Sequence, residues 1–131
     1  MNPIEYTMHH ASLLVSDTQK SLQFYIDVLG MQQAKRPDLP FPGAWLKIGE
    51  QQIHLLELAS PDPVTGRPKH GGRDRHVALT VKELAPVIEA LEKAGIDYTR
   101  SLSGRQALFC RDPDGNAIEI LAVAELANMP V

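Results

Sequence analysis

The chain has 131 residues, 44% of them apolar and 22% charged, with a formal net charge of -3 and a pI near 5.9. That is the size of a single domain with enough apolar material for a core, and it excludes a disordered acidic or basic chain. Basic residues nowhere cluster densely enough to follow a phosphate backbone, and no apolar run approaches the ~20 residues of a membrane helix, so neither nucleic acid nor membrane is an expected partner.

Met1 to Met8 lacks the positive-then-apolar pattern of a secretory leader. Cys110 is the single cysteine, so no intrachain disulfide can form. Both features fit a cytoplasmic protein.

In chain order, His10-Ala11-Ser12-Leu13-Leu14-Val15 reads as a short strand that ends on a helix-start signal, Ser16-Asp17. Leu22, Tyr25, Ile26 and Leu29 then fall at i, i+3, i+4 and i+7, which predicts a helix near 17–29 with one apolar stripe. Asp17 or Ser16 can cap it, and Gly30 suits the left-handed position after its end. Strand-like segments follow at Met31 to Lys35, Ala44 to Ile48 and Gln51 to Leu58, with Gly49-Glu50 as a turn.

The stretch Ala59 to Arg75 is rich in Pro, Gly and charge and has no periodicity. It reads first as an inter-module linker. A sharper reading makes it a loop that closes over a site, where Arg67, Lys69, His70, Arg73 and Arg75 meet an anionic substrate.

The pattern then repeats. His76-Val77-Ala78-Leu79-Thr80-Val81 matches the first strand 66 residues on, and Leu84, Val87, Ile88 and Leu91 repeat the helical stripe, predicting a helix near 83–94. Pro86 falls in its first turn, where a missing N–H does little harm, and Gly95 follows its end. Strands at Ile96 to Ser101, Gln106 to Cys110 and Asn116 to Ala122 complete the copy, with Asp112-Pro113-Asp114-Gly115 as the last turn. The expected fold is α+β, a single domain over 1–131 made of two βαβββ modules, about 8–58 and 76–122.

The repeat puts His10 and His76 at one pair of equivalent strand positions and His54 and Glu119 at another. A single histidine on a strand is more often a core or surface residue than a ligand. Four cation-ligating side chains at repeat-equivalent places are a different case. Glu119 lies between Ile118 and Ile120, and a carboxylate there is costly to bury without a partner, a cost that a cation offsets. His9 points away from His10 and reads as structural or exposed. Trp45 and Phe109 are candidates to line a substrate cup, though core packing explains them equally well.

HHASLLVSDTQKSLQFYIDVLGM, RHVALTV with VIEALEKAGI, and DPDGNAIEIL together resemble the vicinal oxygen chelate superfamily, which includes glyoxalases, fosfomycin- and bleomycin-resistance proteins and extradiol dioxygenases. The resemblance runs from about His9 to Ala122. It implies a curved cup of eight strands around one divalent ion (Zn, Ni, Mn or Fe), held by His10, His76 and Glu119, with His54 in the place of a fourth ligand. Glyoxalase I usually has a glutamate at that place, so His54 is a departure.

The resemblance supports a metal-dependent lyase or isomerase of glyoxalase type, with Glu119 and His54 as the proton-handling groups. The substrate would be a small oxygen-rich, thiol-conjugated molecule. The alternatives are an Fe(II) ring-cleaving dioxygenase, a thiol transferase of fosfomycin-resistance type, and a metal-free drug-sequestering protein. The free edges of two short curved sheets, and the resemblance, both point to a homodimer.

Overall fold

A computed structural model describes residues 2–123. Its strands are β1 His10–Val15, β2 Gln32–Ala34, β3 Gly43–Ile48, β4 Gln51–Glu57, β5 His76–Val81, β6 Tyr98–Arg100, β7 Ala107–Arg111 and β8 Ala117–Ala122. They divide into two four-stranded mixed sheets, β1-β4-β3-β2 and β5-β8-β7-β6. In each sheet the first strand runs parallel to the last and the other neighbours are antiparallel, so the second sheet repeats the first. The fold is α+β with two βαβββ modules, as the repeat implies.

Side-chain alternation decides what each face does. In β1 and β5 the face carrying Leu13 and Val15, or Val77, Leu79 and Val81, packs on the core. The opposite face presents His10 and Ser12, or His76 and Ala78. One buried cluster runs through both modules and includes Tyr25, Leu46 and Ile53 from the first and Leu91, Leu108 and Ile118 from the second.

Helix α1 (Thr18–Leu22) is capped by the Asp17 side chain, which accepts from the Lys20 N–H at 3.2 Å. The chain then widens into a π-helical stretch, Gln23–Val28, where the Leu29 N–H reaches back to the Phe24 carbonyl. The apolar stripe predicts one uniform helix over 17–29. The wider turn brings the adjacent residues Phe24 and Tyr25 onto the buried side together. Helix α2 (Ala85–Lys93) has Pro86 in its first turn, and both helices are followed by glycines at positive φ, Gly30 at 75° and Gly95 at 71°. Among the described residues no helix is long and apolar enough to cross a membrane.

The Asp112–Gly115 turn ties the second module to the first. Asp112 is buried and accepts from the Tyr25 hydroxyl at 2.6 Å, from the Asp114 and Asn116 backbone N–H groups at 2.9 Å each, and from the Asn116 amide at 2.9 Å. The Asn116 amide also donates to the Leu14 carbonyl, and the Ser16 N–H donates to Asp114. Burial pushes the Asp112 carboxyl up, while the Tyr25 and Asn116 donors pull it down.

The stretch 59–75 folds back on the second sheet. Its 3₁₀ turn, Gly71–Arg73, packs on β7 and β8, where a Cβ on Gly71 would lie 3.2 Å from Phe109 and 3.3 Å from Ala117. Asp74 anchors this turn by accepting from Arg67 and Arg111, each at 2.8 Å. Those two hydrogen bonds, Arg67 first, hold the Asp74 carboxyl well below the usual carboxylate range.

A depressed carboxylate contributes its stability above the unfolded value near ~3.9 and loses it only as pH falls through the lower folded value. The 59–75 stretch should therefore stay docked from neutral pH to about pH 4. Asp74→Ala should undock it at neutral pH, raising the rate of tryptic cleavage at Lys69 and Arg73 roughly tenfold. An unchanged cleavage rate would mean that packing on Phe109 alone holds the turn.

Candidate functional site

The sheet register carries the four polar residues of the repeat to two places. In the first sheet His54 of β4 lies opposite Ser12 of β1 and opposite Trp45 of β3. His10, His54 and Trp45 form a three-ring stack, with centroid separations of 4.1 Å and 3.9 Å. In the second sheet Glu119 of β8 lies opposite Ala78 of β5 and opposite Phe109 of β7. There His76 Nε2 comes within 3.1 Å of Glu119 Oε1.

The structure thus pairs His10 with His54 and His76 with Glu119, one pair per module. Among the described residues no three His, Cys, Asp or Glu side chains gather into one group able to hold a metal ion. His10 and His76 do line a common cavity of about 280 Å³ between the edges of β1, β4 and β5.

The second pair has the spacing of a hydrogen-bonded ion pair, which is also compatible with two neighbouring ligand atoms of a cation. The ligand distances usual for Zn²⁺, about 2.0–2.2 Å for imidazole nitrogen and carboxylate oxygen, put two adjacent ligand atoms roughly 3.0–3.4 Å apart. The Nε2–Oε1 separation of 3.1 Å lies in that range. His76 Nδ1 is 2.9 Å from the Asp74 carbonyl, which can only accept, so Nδ1 carries the proton and donates. Nε2 is therefore the ring atom turned to the Glu119 carboxylate, where either an N–H of the ring or a bound cation can lie between the two.

The first pair differs. His10 Nδ1 is engaged by His9 Nδ1 at 2.8 Å and His54 Nε2 by Gln52 Oε1 at 2.7 Å. That leaves His10 Nε2 and His54 Nδ1. Burial first, then His10 and His9, holds the His54 imidazole below its usual range, which favours the neutral ring that can ligate or take a proton. His9 is exposed, as its alternation predicts.

Glu119 is buried, with 5% of its side chain accessible, and its compensation comes partly from a residue the repeat could not reveal. Arg105, on the turn between β6 and β7, donates to Glu119 Oε2 at 3.1 Å. A guanidinium therefore shares the charge-balancing role that the sequence alone assigns to a metal. Arg105 gave no signal because it has no counterpart in the first module and sits in a Ser-Gly turn.

Phe109 meets His76 edge to face at a centroid distance of 5.2 Å and His70 at 4.8 Å. It borders a cavity of about 290 Å³ together with His76 and Glu119. Of the basic residues in the 59–75 stretch, His70 and Arg73 border this same cavity. Arg67 and Arg75 are instead engaged by Asp74 and Asp62.

A family model for the glyoxalase/bleomycin resistance protein/dioxygenase superfamily matches residues 7–120. The chain belongs to this superfamily. It is 36% identical over 137 aligned residues to Glyoxylase I 4 of Arabidopsis thaliana, covering 99% of this chain and 79% of that one. It is 31% identical to the lactoylglutathione lyase of Salmonella typhimurium over 86% of this chain and 89% of that one. The crystal structure of a glyoxalase/dioxygenase from Nostoc punctiforme superposes with a TM-score of 0.70 over 95% of this chain and 99% of that one, at 23% identity. That last likeness is one of fold. Superfamily membership accounts for the duplicated modules.

Proposed function

We propose that this protein is a divalent-metal-dependent lyase or isomerase of glyoxalase type, acting on a small oxygen-rich, thiol-conjugated substrate. The observation that carries this reading is the His76–Glu119 pair: an imidazole whose tautomer is fixed by the Asp74 carbonyl, 3.1 Å from a buried carboxylate oxygen. The relatives named for glyoxylase I and lactoylglutathione lyase activity favour the thiol-conjugate chemistry over ring cleavage.

His76 and Glu119 would hold the ion, and His10 and His54 would complete its surroundings. When bound, such an ion supplies a Lewis acid that polarises a carbonyl and binds two neighbouring oxygens. Glu119 takes a proton from the carbon beside the substrate carbonyl and returns it to the adjacent carbon. The reaction is then an isomerisation in which no atom is gained or lost. In this reading His54, brought to the site from the other sheet, moves the second proton between the two oxygens. Arg105 keeps Glu119 Oε2 occupied and so turns Oε1 toward His76.

The two pairs belong to different sheets, and we read the protein as a homodimer in which the first sheet of one protomer faces the second sheet of its partner. Each complete site would then draw on both chains. Subunit mixing tests the activity and the assembly together. His54→Ala and Glu119→Gln homodimers should each be nearly inactive on the hemithioacetal of a 2-oxoaldehyde and glutathione. After unfolding and co-refolding in equal amounts, half of the dimers pair unlike chains and one of their two sites carries no substitution. About a quarter of wild-type activity should return. No recovery would place all four residues of a site in one chain. Absence of turnover by the wild-type protein with every one of Zn, Ni, Mn and Fe would remove the glyoxalase-type reading.

A further inference from the structure

Ahead of β1, Ile4, Tyr6 and Met8 stand with 74%, 85% and 65% of their surface accessible. They fall at every second residue, with Glu5, Thr7 and His9 between them. That alternation belongs to a strand with one face to be covered. The other large apolar residues exposed among the described residues are Leu39, Leu58, Val64 and Leu102. They are scattered singly, which is ordinary for a protein surface.

The sheet ends where this arm begins. β1 pairs with β4 from His10, opposite Gln52, and the link just upstream is the Gln52 N–H donating to the His9 carbonyl at 3.2 Å. β4 starts at Gln51, directly after the Gly49-Glu50 turn. Residues 3–8 therefore run past the end of β4, and among the described residues no strand pairs with them. An unpaired strand-like segment with an apolar face is a template for another chain. Met8 and His10 border one cavity, so the apolar face of the arm continues the face of β1 that carries His10.

We propose that residues 3–8 lie across a second copy of this chain, with Ile4, Tyr6 and Met8 packed on the partner, and that the exchange of two such arms holds the homodimer together. This rests on the homodimer reading given above and names the segment that secures it. In that reading the face carrying His10 is turned to the partner, and the arm extends this face beyond its own sheet. The area also fits. Three such side chains expose a patch on the order of a few hundred Å², about the most that a monomer usually shows in one place. A stable pair needs about 800 Å² from each chain. Each copy contributes its own arm and the surface that receives the other arm, which together approach that requirement. Tyr6 is the anchor, as the most exposed of the three and an aromatic.

Sedimentation equilibrium on the full-length protein without added metal tests this, so the outcome does not depend on the metal reading. Wild-type protein should be dimeric at micromolar concentration. Tyr6→Asp should raise the dimer dissociation constant about thirtyfold or more, and Ile4→Asp should act in the same direction. Thr7→Asp adds the same charge to the opposite face of the arm and should change the constant by less than about threefold. A wild-type protein that stays monomeric overturns the homodimer reading and the arm with it. A wild-type dimer whose constant moves less than about threefold in Tyr6→Asp, or moves as far in Thr7→Asp as in Tyr6→Asp, overturns the arm and leaves the homodimer in place. The arm lies outside the core, so unchanged circular dichroism should accompany each variant.

Discussion

Glu119→Gln should lower turnover on the order of 10²-fold or more while metal content falls far less. The substitution keeps the shape of the side chain and one carbonyl oxygen, so a ligand atom can still face His76 Nε2, now 3.1 Å from Oε1. It removes the negative charge and the basicity. It also replaces Oε1 or Oε2 with a donor that cannot accept from Arg105. If Glu119 is only a ligand, activity should track metal content across partially loaded samples. If it also moves the proton, fully loaded glutamine variant should remain inactive. Side-by-side measurement of metal per protomer and kcat separates these outcomes, and normal values for both would take Glu119 out of the mechanism.

Asp112→Ala should have the largest effect on stability, about 3 kcal/mol or more. Four donors converge on this buried carboxylate, two of them side-chain groups from Tyr25 and Asn116. Removing it strands the Tyr25 hydroxyl in a fully buried position and frees the turn that holds the second module to β1. Tyr25→Phe removes a single bond and should cost less. Urea denaturation should show a lower midpoint with an unchanged slope for both variants. A midpoint shift in Asp112→Ala no larger than in Tyr25→Phe would mean that the backbone of the turn, rather than its carboxylate, joins the modules.

The module plan was legible because it rests on local signals given twice. The strand beginning at His10 and that beginning at His76, the two apolar stripes and the two glycines after them all find their places. The π-helical stretch was not legible, since an apolar stripe at i, i+3, i+4 and i+7 is compatible with a locally wider turn. The wider turn goes with the burial of both Phe24 and Tyr25, the second of which bonds to Asp112 of the second module.

At the site, repeat equivalence picked out His10, His54, His76 and Glu119 as candidates but grouped His10 with His76 and His54 with Glu119, whereas the structure pairs them within each sheet, His10 with His54 and His76 with Glu119. It could not reveal Arg105 or Asp74, whose partners are 14 and 37 residues away, Glu119 in one case and Arg111 in the other. Such contacts are made by loops folding onto a sheet, and no periodicity encodes them. The 59–75 stretch illustrates the same point. Composition reads it as a linker, yet its Gly71-Gly72-Arg73 turn packs closely on Phe109, where a Cβ on Gly71 would be crowded at 3.2 Å.

The proposed reading has His10, His54, His76 and Glu119 together serve one divalent ion. Its most direct test is elemental analysis after equilibrium dialysis against Zn, Ni, Mn or Fe, performed on wild-type protein and on His10→Ala and His76→Ala. Wild-type protein should hold one ion per protomer, and each variant should lose most of that binding, because each removes a ligand from a different sheet. Full metal content and affinity in either alanine variant would contradict it.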